Sequence, residues 1–153
     1  MPSWKYSIQG LDPDTSAIAS GRDLRISPKA AREVCRYIRG MMLDKAKERL
    51  QEVMALERPV PYFRHKKKIP HRGGVKGFDA GRYPVKVAGE VLKLLEAVEA
   101  NAEFKGLYSD RLKIVHIAAH KARAVRKYIS RAFGRSSPYF EQLTHVEVAV
   151  EEV

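Results

Sequence analysis

RLKIVHIAAHKARAVRKYISRAFGRSSPYFEQLTHVEVAV, residues 111–150, decides how this chain is read. At its start Leu112, Ile114, His116 and Ala118 alternate with Lys113, Val115, Ile117 and Ala119, which predicts a strand with two fairly apolar faces. At its end Thr144, Val146, Val148 and Val150 alternate with His145, Glu147, Ala149 and Glu151, which predicts a strand buried on one side. Between them Gly134-Arg135-Ser136-Ser137-Pro138 is a turn signal. Two strands around a turn make a hairpin. Its arms beyond the core, residues 121–142, hold roughly eleven residues each and at ~3.3 Å per residue project on the order of 35 Å.

Upstream the period is helical. Ser27-Pro28 offers a hydroxyl for capping and a proline for the first helical position, and Ala31, Val34, Cys35 and Ile38 form one apolar face before Gly40. Asp44 reads as the next N-cap, with Ala46, Leu50, Val53 and Met54 as the buried face. Pro59 and Pro61 stop that helix. Pro84 opens the longest one, whose stripe Val87, Val91, Leu94, Val98 and Ala102, flanked by Ala88, Leu92 and Leu95, runs to Gly106. Residues 1–23 read as an extended arm with at most one short strand, and 24–26 as a brief strand. The expected fold is α+β: three helices packed on a small antiparallel sheet, with a long extended β-hairpin. One domain over 1–153 is expected. It comprises the arm 1–23, a strand and two helices over 24–57, a basic loop over 58–83, the long helix over 84–106, and the hairpin with its return strand over 111–153.

The charge is concentrated. The 153 residues carry 29 Lys and Arg against 18 Asp and Glu, a formal +11. Residues 58–86 hold nine cations and one acid, Asp79; residues 111–140 hold eight cations and none. Those segments carry +8 each, leaving −5 for the rest of the +11. A slightly acidic body with two basic segments favours a polyanion, because each neutralised phosphate releases condensed counterions. A membrane-surface helix would instead place its cations on one face of an apolar helix, and no apolar run nears the ~20 residues of a bilayer span. In the second segment Lys121, Arg123, Arg126, Lys127, Arg131 and Arg135 interleave with Tyr128, Phe133, Tyr139 and Phe140. Cations meet phosphates and rings stack on exposed bases, a composition suited to a ribbon ordered by folded RNA. The alternative is a solvated charged face, against which stands the lack of any compensating acid. The first segment supplies Arg64, Lys66, Lys67, Lys68, Arg72, Lys76 and Arg82 as RNA contacts. Lys29, Arg32, Arg36 and Arg39 line the first helix away from its apolar face, where two of them pair with Glu33 or stay solvated, or else Arg25, Lys29 and Arg32 near the helix start bind phosphate. Phe78 and Tyr83 read as packing the loop down rather than stacking on a base.

Catalysis finds no constellation. His116 and His120 lie four apart on a strand, about 13 Å at ~3.3 Å per residue, too far to share a metal. There is no HExxH, nucleophile elbow or Walker loop, and 72–77 lacks the glycine spacing of the last. The basic segments contain one carboxylate, too few for a metal nuclease. Cys35 is the single cysteine, so neither an internal disulfide nor a cysteine metal cluster can form. No enzyme, cofactor or metal is expected. The N-terminus lacks an apolar signal core, and a reducing cytoplasm is the default.

Four motifs occur in order. They are Arg25-Ile26-Ser27-Pro28-Lys29-Ala30-Ala31-Arg32 followed by Ile38-Arg39-Gly40; Glu99-Ala100-Asn101-Ala102-Glu103 followed by Gly106-Leu107; Gly134-Arg135; and Leu143-Thr144-His145-Val146-Glu147-Val148. Together they resemble the signature of the family of large-subunit ribosomal protein twenty-two, and the basic insertion within 58–82 resembles its archaeal and eukaryotic branch. The resemblance implies a structural constituent of the cytoplasmic large ribosomal subunit. Its body would lie on the outer surface, bound to large-subunit rRNA and neighbouring ribosomal proteins, with a hairpin reaching between rRNA domains. It further implies that the tip Arg131, Ala132, Phe133, Gly134, Arg135, Ser136, Ser137 and Pro138 lines the exit tunnel and meets the nascent polypeptide. A free-standing RNA-binding regulatory or chaperone-like module is the alternative from another class.

Overall fold

The computed structural model describes residues 5–75 and 77–153. The elements run β1 (Ser16–Leu24), α1 (Pro28–Ile38), α2 (Leu43–Met54), β2 (Val60–Pro61), β3 (Gly81–Arg82), α3 (Val85–Phe104), β4 (Leu112–Val125), β5 (Tyr128–Ser130), β6 (Ser136–Pro138) and β7 (Glu141–Glu152). Among the described residues three helices pack on one face of an antiparallel sheet ordered β1-β7-β4, from which β4 and β7 run on toward the β5-β6 ribbon. The α+β expectation holds.

Each helix buries the stripe its spacing predicts. Ala31, Val34, Cys35 and Ile38 of α1, Ala46, Leu50 and Val53 of α2, and Val87, Val91, Leu94, Val98 and Ala102 of α3 are all in the core. Met54 is the exception, at the solvent end of α2 with 39% exposure. Ser27 occupies the N-cap position of α1, but its hydroxyl makes no capping hydrogen bond. The start rests instead on Pro28, whose fixed φ suits the first turn and whose missing amide needs no partner. Met42, not Asp44, is the N-cap of α2. The amide of Ile114 donates to Met41 O at 2.9 Å and Met42 bridges Lys113, so pairing with β4 sets where the chain enters the helix. Asp44 falls in the first turn, where its charge faces the positive helix end. α3 closes in a Schellman motif: Gly106, at φ +80°, donates to Glu103 O, and Leu107 donates to Ala102 O.

The sheet departs from the expectation in three ways. Residues 24–26 are not the first strand; it is β1, Ser16–Leu24, inside the expected arm. Its alternation is carried by Ala17 and Ala19, too small to register as an apolar face, yet both are buried. Because β1 pairs with one edge of β7 and β4 with the other, β7 is central, and Glu147 and Ala149 are as buried as Val146 and Val148. The one-sided strand was the wrong expectation. The two apolar faces of β4 have a different origin. Ile114 pairs with Val150 but His116 with Ala149, a bulge that places one extra residue on β4 and shifts its phase. Leu112 and Ile114 face the helices before the bulge, and Ile117 after it.

Candidate nucleic-acid interface

The basic loop is not without structure. β2 and β3 pair across its base, His71 bridges Ala80, and one buried carboxylate gathers its near end. Glu33, on α1 and fully buried, accepts the backbone amides of Phe63, Arg64 and His65 at 3.0, 3.2 and 3.3 Å. Arg32 closes on it at 3.2 Å. A buried carboxylate is costly unless hydrogen-bonded, and these donors meet that need. Phe63 packs at a tilt against Phe78, ring centroids 4.4 Å apart, beneath the Arg36 guanidinium at 4.2 Å. Phe78 therefore packs the loop down, as expected. Tyr83 lies under Arg72 at 5.6 Å.

Anchored this way, the loop walls a cleft of about 910 Å³ between the starts of α1 and α3. Arg25 and Lys29 line it from the α1 side, Arg64, Lys67, Lys68 and Arg82 from the loop, and Lys86 from the first turn of α3. No carboxylate among the described residues lines it. Lys86 was missed as a site residue because on a helix of apolar stripe it reads as a solvated flank. Lys66 and Arg72 are exposed on the loop outside this wall. Lys76 lies outside the described residues.

The second basic segment forms the ribbon. Its register holds from Lys121 opposite Thr144 to Ser130 opposite Ser136, with an irregularity between Lys121 and Ala124. There the Gln142 amide donates to Ala122 O and Arg123 O. Lys121, Arg123, Arg126, Lys127, Arg131 and Arg135 are all exposed. At the tip, Phe133 is 96% exposed and left-handed at φ 58°, followed by Gly134 at φ 65°. Tyr128 and Phe140 meet edge to face at 5.8 Å.

The ribbon carries no acid of its own before Glu141, but the fold brings carboxylates to its root. Glu141 takes Arg25 at 2.7 Å and Lys127 at 2.8 Å, and hydrogen bonds from these two hold its carboxyl down at about 2. Asp23 reaches Arg123 at 3.5 Å. Sequence reasoning missed Glu141 as a partner of Arg25 and Asp23 as a partner of Arg123 because these pairs lie 116 and 100 residues apart. Arg25 thus belongs to both basic surfaces. It lines the cleft and holds the ribbon.

The histidines correct the sequence expectation most sharply. The strand spacing sets His116 and His120 about 13 Å apart, too far to share a metal, yet their Nε2 atoms lie 3.0 and 3.2 Å from the same oxygen, Oε1 of Glu147. Ala118 sits opposite Glu147, so the two rings flank it diagonally and lean over the small residue between them. Ser7 closes the cluster, its amide and hydroxyl both donating to Glu147. Burial raises the Glu147 carboxyl, but hydrogen bonds from Ser7, His116 and His120 outweigh it and hold the group at about 2. This arrangement ties the N-terminal segment across the outer face of the sheet. Burial pushes the Cys35 thiol up to about 12, which leaves it unreactive inside the core.

Comparison with known proteins agrees with this architecture. The family model described as Ribosomal protein L22p/L17e matches residues 19–151. The large ribosomal subunit protein uL22 of Methanopyrus kandleri is 57% identical over 97% of this chain and 96% of its own length. Those of Ignicoccus hospitalis and Methanocaldococcus jannaschii are 52% and 47% identical, covering 100% and 99% of this chain and 99% and 97% of theirs. With most of the sheet, the three helices and both basic segments inside the matched span, the chain belongs to the Ribosomal protein L22p/L17e family.

Proposed function

We propose that this chain is a structural constituent of the large subunit of the cytoplasmic ribosome. It binds rRNA along the cleft and the ribbon and holds together rRNA segments that these surfaces reach separately. The observation that carries this is the meeting of a concave basic wall and an exposed basic ribbon at one residue, Arg25. Such a surface gains affinity from counterion release and needs no base-specific contact. Exposed rings of Tyr128, Phe133, Tyr139 and Phe140 add stacking faces for unpaired bases. No turnover is involved; the work is charge neutralisation and clamping. On this proposal the contacts to rRNA are Arg25, Lys29, Arg64, Lys66, Lys67, Lys68, Arg72, Lys76 and Arg82, then the ribbon cations Lys121 to Arg135. Arg32 contributes through its neighbour, since it closes on Glu33. Residues 131–138 face the nascent polypeptide, and neighbouring ribosomal proteins border the body.

Gradient sedimentation tests the assignment. The protein is expected with large subunits at moderate salt; recovery in light fractions beside intact large subunits overturns it and favours a free-standing module. A photo-crosslinker at Phe133 tests the tip. Crosslinks to nascent chains on stalled ribosomes are expected, and crosslinks to rRNA alone would remove the tunnel assignment.

A further inference from the structure

Arg25 is held by only one of the two surfaces it serves. Its Nε and a terminal nitrogen donate to the two oxygens of Glu141 at 3.0 and 2.7 Å, a paired contact that a phosphate can accept equally well. Its side chain is 63% exposed, so it can swing without unpacking the core. The other cations lining the cleft, Lys29, Arg64, Lys67, Lys68, Arg82 and Lys86, have no carboxylate partner among the described residues. Glu141 does not depend on Arg25 alone, because Lys127 Nζ holds the same carboxylate at 2.8 Å.

We propose that the cleft is a phosphodiester-binding site and that Arg25 is its exchangeable member, leaving Glu141 for a backbone phosphate when the cleft fills. The chemistry favours the exchange. Six like charges around a concave wall repel one another until an anion sits among them, whereas an exposed ion pair contributes little. α1 and α3 both begin at this wall, so their free first-turn amides add partial positive charge to the same volume. The exchange couples the two surfaces. Loss of the Arg25 contact loosens the tie between the β1–α1 link and the ribbon root, leaving Asp23 on Arg123 and Lys127 on Glu141. Coupling is reciprocal, so weakening the Glu141 contact must strengthen binding in the cleft.

This inference rests on the RNA-binding reading, and one titration separates the two. The full chain, labelled with nitrogen-15, is titrated with a five-nucleotide uridine RNA at fixed low salt, following the Arg25 Nε–Hε signal and the dissociation constant. The Arg25 signal is expected to shift on binding in the wild type. Glu141→Gln, a conservative change at a half-buried side chain, is expected to tighten binding by about two- to fivefold, the range a surface ion pair spans. Arg25→Gln should weaken it, and Arg25→Lys should recover only part, since lysine offers no planar fork. Arg64→Gln with Lys68→Gln should abolish the Arg25 shift. Equal affinity in wild type and Glu141→Gln, or an Arg25 signal that stays fixed while RNA binds, overturns the exchange and leaves rRNA binding standing. Failure of the wild type to bind either the short RNA or a large-subunit rRNA fragment overturns both.

Discussion

Glu147 and His120 meet at 3.2 Å across the outer face of the sheet, on the oxygen that also takes His116 at 3.0 Å. The carboxylate is 1% exposed, so its charge is maintained by those rings and by Ser7 rather than by water. The N-terminal segment is thereby fastened to a strand 140 residues away.

That fastening is acid-sensitive in a defined direction. The Glu147 carboxyl lies at about 2 in the folded chain, against 4.5 ordinarily. Between those values the unfolded chain binds more protons, so the stabilisation is complete above pH 4.5 and is lost as pH falls toward 2. Glu147→Gln should lower stability at neutral pH by about 1–3 kcal/mol and flatten the dependence below pH 4.5. Urea unfolding across a pH series measures both, and an unchanged acid slope would show that another carboxylate dominates.

Glu33 organises the loop from beneath. Glu33→Ala removes the acceptor of three amides at residues 63–65 and should cost about 1–3 kcal/mol. Amide exchange at Phe63, Arg64 and His65 should rise more than elsewhere, with weaker RNA binding as the cleft wall loosens. Uniformly faster exchange would mean that Glu33 supports the whole core.

The ribbon cations act through phosphate. Replacing Lys121, Arg123, Arg126 and Lys127 by Gln should flatten the salt dependence of RNA binding, losing about 0.7–0.9 units of slope per contact. An unchanged slope would place these side chains in solvent.

Stability should be unevenly spread. α3 buries seven residues, whereas nearly every residue from Lys121 to Phe140 is exposed. Leu95→Ala should cost about 2–5 kcal/mol, because it opens a cavity in a packed interior. Amide exchange over 121–140 should be fast in the free protein while α3 is protected. Equal protection in both would mean that the ribbon is held by more than its own ladder.

Much of the fold is legible from spacing. The stripes of α1, α2 and α3 are each local, and a buried face repeats every three or four residues whatever it packs against. The hairpin is legible for the same reason, since Gly134 and the alternations on either side lie within one stretch. The candidate site is legible as composition: acid-poor runs at 58–86 and 111–140 announce their charge before any fold exists. What spacing misses is β1, whose Ala17 and Ala19 carry a period too faint to read, and the bulge in β4, which makes one buried face look like two.

By itself, then, the sequence determined the helices, the ribbon, the fold class and the sign of the partner's charge, because periodicity and net charge are properties of short stretches of chain. Only the tertiary structure decided which charges remain open to a partner. Arg25 and Glu141 are 116 residues apart and meet at 2.7 Å, Glu33 turns inward to hold the loop, and His116 and His120 converge on Glu147. Each depends on a strand register or a loop path, and a carboxylate's effect falls off with distance in space, not along the chain.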